Sequence, residues 1–202
     1  MSAFLGPIHF WLFNKITIQE NLTQSILNAF FSGDDLLHKE NLLKEKYGIL
    51  EARPLEEIID ESNIHGWLQE KVSLVEGRYA QVVTDLVSSN KATLKELQKA
   101  TFKNGASLPV KADNAQVLFQ TLNNTLLDGM PCDRINQVIS QDDEAVTWTH
   151  SRCIHHFYWD AISGDSKNYY VLRDAWIKGM VSQTDFEYEV SNGEYKITRK
   201  VK

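Results

Sequence analysis

The densest set of side chains able to do chemistry is Cys132 together with the run His150-Ser151-Arg152-Cys153-Ile154-His155-His156. His150, Cys153 and His155 put three soft or borderline ligands within a short span, with Cys132 as a candidate fourth, the chemistry a zinc or haem site uses. Their spacing matches no common zinc motif, and no Cys-x-x-Cys knuckle is present. The same residues admit a second chemistry. A thiol beside an imidazole loses its proton more easily, so Cys153 with His155 or His156 is a candidate nucleophile for a thiol- or metal-dependent hydrolase. Asp133, Asp160 or Asp165 would orient the imidazole. Adjacent histidines point to different sides of a strand or helix, so only one of the two would face the thiol. The plain alternative is a small buried cysteine with histidines at a sheet edge.

A second feature is an internal echo. Ile8-His9-Phe10-Trp11-Leu12 resembles Ile64-His65-Gly66-Trp67-Leu68, and each copy has a glutamate eleven positions after its histidine, Glu20 and Glu76. Within one helix that spacing is about 16 Å along the axis, too far for one ion. If the two helices run parallel, His9 and His65 meet at one end of the bundle, and a pocket lined by His9, Trp11, His65 and Trp67 follows. Two similar helix starts packed into a core would look the same. Arg173, on a mostly apolar helix, would clamp a carboxylate or phosphate if buried; an ion pair with Glu187 or Asp185 is the structural alternative. The run Glu56, Glu57, Asp60 and Glu61 reads as a solvated face. There is no Walker loop, Rossmann glycine fingerprint, His-Glu-x-x-His or Gly-x-Ser-x-Gly.

Composition bounds these readings. The chain has 202 residues, 43% apolar and 24% charged, with a net charge of −6, which sets aside disorder. The charges are interspersed, and the only basic cluster is Arg199, Lys200 and Lys202. Nucleic acid is therefore not the expected partner. The apolar run from Phe4 to Phe13 lacks a basic leader and is too short to span a bilayer. Two cysteines are too few for a disulfide scaffold, and the expected location is the cytoplasm.

The elements that must position these side chains are legible from periodicity. Pro7 opens a helix with inward residues from Ile8 to Phe30, and Gly33 stops it. Asp34 or Asp35 caps a shorter helix ending near Gly48, and Pro54 opens a brief segment from Leu55 to Asp60. Ser62 or Asn63 caps a long helix through Leu86. Gly77 inside it implies close packing or a bend. Asn90 starts a helix that closes at Asn104-Gly105, and a fifth follows Pro109 to Asp128-Gly129. The period then drops to two. Ile135, Gln137 and Ile139 face Val146, Trp148 and His150 if the turn is centred between Asp142 and Asp143, a register that also pairs Cys132 with Cys153. A short aromatic link, Ile154 to Ile162, leads to a helix from Tyr169 to Met180. Asn192-Gly193 then turns a final hairpin, with Phe186, Tyr188 and Val190 opposite Arg199, Ile197 and Tyr195 and with Glu189 opposite Lys196.

The predicted fold is α+β and a single domain over 1–202: a bundle of about five helices (1–130), then a ββαββ unit (131–202) forming a four-stranded antiparallel sheet. This order of elements resembles the ligand-binding fold of haem nitric-oxide/oxygen sensor domains, vinyl-reductase-like domains and trafficking-complex subunits. Trp148-Thr149-His150-Ser151-Arg152 is loosely similar to the haem-propionate motif of the haem members, although the helix before the first hairpin carries no histidine. The resemblance implies a ligand-binding or sensor-type domain with a pocket between helices and sheet. Trp11, Trp67, Trp148, Trp159 and Trp176 would wall it, and His150, Cys153, His155 and Arg173 would supply polar contacts. The expected partner is a small molecule. A dimer through Phe4, Phe10, Trp11 and Phe13 is the remaining expectation.

Overall fold

The computed structural model describes residues 4–201, so Lys202 of the basic tail lies outside the described residues. Helices precede strands, as expected of the α+β class. The first is α1 (Pro7–Phe30), with Pro7 at its opening turn, where a missing N–H costs nothing. It is followed by α2 (Gly33–Tyr47) and the single turn α3 (Leu55–Ile58). In α4 (Ile64–Ser88) the Asn63 side chain accepts from Gly66 N–H, the capping expected from the sequence. Then come α5 (Leu94–Ser107) and α6 (Ala115–Thr125).

The start and end of α5 differ from the sequence reading. Asn90 adopts a left-handed turn conformation, φ 55°. The helix begins behind Thr93, whose hydroxyl accepts from Glu96 N–H while the Glu96 carboxylate accepts from Thr93 N–H. Gly105 does not end it. It lies inside α5 where the backbone of α8 (Lys167–Val181) approaches, and a Cβ there would run into the carbonyl oxygen of Trp176. Gly179 on α8 does the same against the Phe102 carbonyl. Two glycines thus let two helix backbones touch. Gly77 has a similar role, with the Tyr47 ring over it.

The sheet has β1 (Asn136–Gln141), β2 (Ala145–His150), β3 (Phe186–Ser191) and β4 (Glu194–Arg199), in the order β1-β2-β4-β3, all antiparallel. The β3–β4 hairpin keeps the expected register residue for residue, including Glu189 opposite Lys196. Asn192 and Gly193 both take positive φ in its turn, the twist-matched two-residue type. Its inward face (Phe186, Tyr188, Tyr195, Ile197) joins Val146 and Trp148 of β2 in one buried cluster with α4, α5, α6 and α8. The other face carries exposed Glu187, Glu189, Glu194 and Lys196, as a one-sided antiparallel sheet should.

The β1–β2 hairpin departs from the expected register. Asp142 N–H bonds to the Ala145 carbonyl, and its carboxylate accepts from Glu144 and Ala145 N–H. The turn is therefore centred one position later, on Asp143-Glu144. An irregularity between Val138 and Ser140 then shifts the ladder, so that Val138 pairs with Trp148 and Asn136 with His150. Before β1 the chain leaves the sheet through Arg134, φ 47°, into a 3-10 turn at Pro131–Asp133. Cys132 therefore does not pair with Cys153.

No helix among the described residues is long and apolar enough to cross a membrane.

Candidate functional site

The N-terminal halves of α1 and α4 run side by side in the same direction. His9 and His65 meet edge to face with ring centroids 5.6 Å apart, and Arg78 of α4 bonds Glu20 of α1 further along. The echoed histidines thus come together as the parallel arrangement requires. His9 is buried, and Gly6 N–H donates to its Nδ1 at 2.9 Å. Burial and then the neighbouring His65 lower its pKa, so His9 is held neutral. A cavity of about 360 Å³ opens here, lined by His9, Leu12, His65, Leu68, Met130 and Cys132 among others. Trp67 packs on Phe13 beside it.

The echoed glutamates diverge. Glu20 takes Arg78, whereas Glu76 takes His155, Oε2 to Nδ1 at 3.1 Å. Both partners of this second pair are almost completely buried, and the His155 ring stacks on Tyr169 at 3.6 Å. Here α7 (His156–Asp160) begins. His156 turns outward, and its Nδ1 lies 3.2 Å from the Cys153 carbonyl oxygen. The Tyr170 hydroxyl faces the Cys153 thiol, and burial first, then that neighbour, raise the Tyr170 pKa. Neither imidazole therefore directs its hydrogen bond to the sulfur. Cys132 is exposed on its turn. Among the described residues no group of three or more His, Cys, Asp or Glu side chains is arranged to hold a metal. The set Cys132, His150, Cys153 and His155 is thus not assembled for a metal: the 3-10 turn carries Cys132 off the sheet, and His155 is bonded to Glu76. Haem fits no better: α6 has no histidine, and His155 is covered by Tyr169 and bonded to Glu76.

The predicted tryptophan wall is also dispersed. Trp148 is fully buried among Phe119, Tyr188 and Tyr195, Trp159 packs on Tyr79, and Trp176 donates to Asn104 across the α5–α8 contact. These three are core. Trp11 and Trp67 stay on the outer side of the bundle, only partly buried. Of the aromatic run Phe4, Phe10, Trp11 and Phe13, Phe4 and Phe10 are exposed.

What the fold does assemble is a buried charge network around Asp128. Arg173 is buried, as its place on α8 implies, but its partner is Asp128 rather than Glu187 or Asp185: Nη2 donates to both carboxylate oxygens at 3.2 and 3.3 Å. The Asn136 amide, itself bonded to Asn123, adds a donor at 3.0 Å. Burial by itself would raise the Asp128 carboxyl, but the charges of Arg173 and Lys15 hold it well below the usual carboxylate range. His150 lies 4.5 Å from Tyr195, ring to ring. Burial first, then the Arg173 charge, push it down to about 4, so it is neutral at neutral pH.

Lys15 completes the network. It is only 5% exposed, and its ammonium sits 4.1 Å from the centroid of the Trp11 ring, one helical turn back on α1. Among the described residues it makes no hydrogen bond. Burial pushes its pKa down to about 8, against the pull of Asp128. It lines a cleft of about 220 Å³ with Trp11, Asn123, Asp128, Arg134 and Asn136. Met130, Pro131 and Arg134 border both this cleft and the His9–His65 cavity, so the two adjoin. The Asn136 Oδ1 and the Arg173 Nε and Nη1 are buried with no hydrogen-bond partner, unspent capacity that proteins rarely tolerate without a reason.

Sequence reasoning passed over Lys15, Asp128 and Asn136. A signal for Lys15 exists. Lys15, Gln19 and Thr23 recur at one-turn spacing on α1 and are all buried, a polar stripe between the apolar positions. Asp128 read only as a helix stop. Compared with known proteins, the chain matches no family profile, no curated protein and no solved structure.

Proposed function

We propose that this protein binds a small, partly apolar molecule in the groove along the first half of α1, with an acceptor oxygen of the ligand against Lys15 and its apolar part toward His9, Leu12 and Leu68. The observation that carries this reading is Lys15: a largely buried side chain whose ammonium lines a cleft and, among the described residues, makes no hydrogen bond. Burying a charge without hydrogen bonds costs several kcal/mol as an order of magnitude. A ligand oxygen supplies the bonds the fold leaves out. A few convergent polar groups beside an apolar wall are the ordinary form of such sites.

A larger cleft of about 450 Å³ lies between α1, α2 and α4. Its polar rim is already satisfied, with Lys39 bonded to Asp85, Lys46 to Gln81 and Gln81 to Asp85. It has no comparable demand for a ligand.

Thermal-shift titration with hexanoate and benzoate tests the reading. Wild-type protein should gain stability with either ligand, and Lys15→Met should lose the response. Equal responses in both proteins, or none in either, would remove the assignment.

A further inference from the structure

Lys15 has the surroundings of an imine-forming amine as well as of a cation. It lines the smaller of the adjoining clefts, together with Trp11, Met130, Pro131 and Ile135 and with the Asp128 carboxylate. Among the described residues no hydrogen bond holds Nζ, only the Trp11 ring against it, so the nitrogen can turn toward an incoming carbon. With its pKa at about 8, roughly a tenth of the amine is unprotonated at neutral pH, against less than about a thousandth for an ordinary lysine. Burial thus makes a weak nucleophile usable, the means by which lysines are commonly activated.

We propose that Lys15 forms a reversible imine with small apolar aldehydes, with Asp128 as the counter-ion. This rests on the groove assigned above and names the ligand class it takes. The unprotonated Nζ adds to the carbonyl carbon, forming the C–N bond, while the carbonyl oxygen picks up a proton. The carbinolamine then loses that oxygen as water as the nitrogen lone pair closes C=N. The sum is amine plus aldehyde giving imine plus water. The imine nitrogen takes a proton from solvent, and the resulting iminium carries the same single positive charge that the ammonium presented to Asp128 and the Trp11 ring. The network already accommodates that charge, so the adduct needs no rearrangement of Arg173 or Asn136. The apolar chain of the aldehyde follows the wall of Leu12 and Leu68 toward His9, whose neutral ring adds no competing charge.

The test uses the full chain with hexanal and cyanoborohydride at pH 7.5, read by intact mass and peptide mapping. The expected result is one hexyl group on Lys15, added roughly ten-fold faster than on any other lysine; Lys15→Arg, which keeps the charge, should lose that fast phase alone. Adducts spread evenly over the lysines, or a fast phase that persists in Lys15→Arg, would overturn the proposal. Hexanoate stabilisation without a Lys15 adduct defeats the imine and leaves the binding groove standing. Neither stabilisation nor adduct defeats both.

Discussion

Asp128, between α6 and β1, meets Arg173 of α8 at 3.2 Å across 45 positions of sequence, with both side chains nearly inaccessible to solvent. This contact ties the end of the helical region to the helix between the two hairpins. A buried pair of this kind adds little compared with apolar replacements, but breaking one partner strands the other. Asp128→Asn should therefore destabilise the protein by about 3 kcal/mol or more in urea unfolding, and Arg173→Met by a similar amount. The double variant should lose less than the sum, because neither member of the pair is then left without the other. Additive losses would show that the two do not act as a pair.

Lys15 should cost stability. Its folded pKa of about 8 lies below the ordinary 10.5. Below pH 8 both folded and unfolded chains hold the proton, and the full penalty is present. Between about 8 and 10.5 the unfolded chain binds more protons, so stability contributed at this site rises with pH. Lys15→Met should be more stable than wild type by about 2 kcal/mol at pH 7 while losing the ligand response, and the gap should narrow toward pH 10.5. Urea melts across that range measure it; a variant less stable at pH 7 contradicts the burial argument.

His150 sets an acid limit. Its folded pKa of about 4 is depressed from 6.5. Its contribution is present above pH 6.5 and is lost as pH falls from 6.5 toward 4, where the unfolded chain takes up the proton first. His150→Phe should flatten the fall in stability between pH 6.5 and 4 relative to wild type. The ring's own titration, followed by NMR, should have a midpoint near 4; an ordinary midpoint would refute the assignment.

Gly105 and Gly179 mark the closest approach of α5 and α8. A methyl group at either position meets backbone atoms, which cannot swing aside as a side chain can. Gly105→Ala and Gly179→Ala should each cost about 3 kcal/mol by overpacking, despite the better helix propensity of alanine. Gly6→Ala, with open space around its Cβ position, is the control and should stay within about 0.5 kcal/mol.

Local rules carried much of the fold into the sequence. Pro7, Asn63 and the Asn192-Gly193 turn act within a few residues of themselves, through a fixed φ, a side-chain cap and a tight turn. Apolar spacing adds which face of each helix is buried. The same rules brought His9 and His65 together, because equal spacing on two parallel helices places equal positions side by side. They failed where a one-residue choice depended on more distant partners. The Asp142 carboxylate recentred the first hairpin turn, and the Ala115 N–H of α6 bonds the Asp143 carbonyl within it. With the irregularity in β1 and the 3-10 turn before it, this separated Cys132 from Cys153. The charge network was decided by tertiary structure alone. Lys15, Asp128, Asn136 and Arg173 come from four separate segments, and although the apolar surroundings of Arg173 in the sequence mark it for burial, nothing local names its partners. Only the packing of α1, α8 and the α6–β1 segment takes them out of water; that burial lowers the Lys15 pKa, while the Arg173 and Lys15 charges hold Asp128 ionised against it.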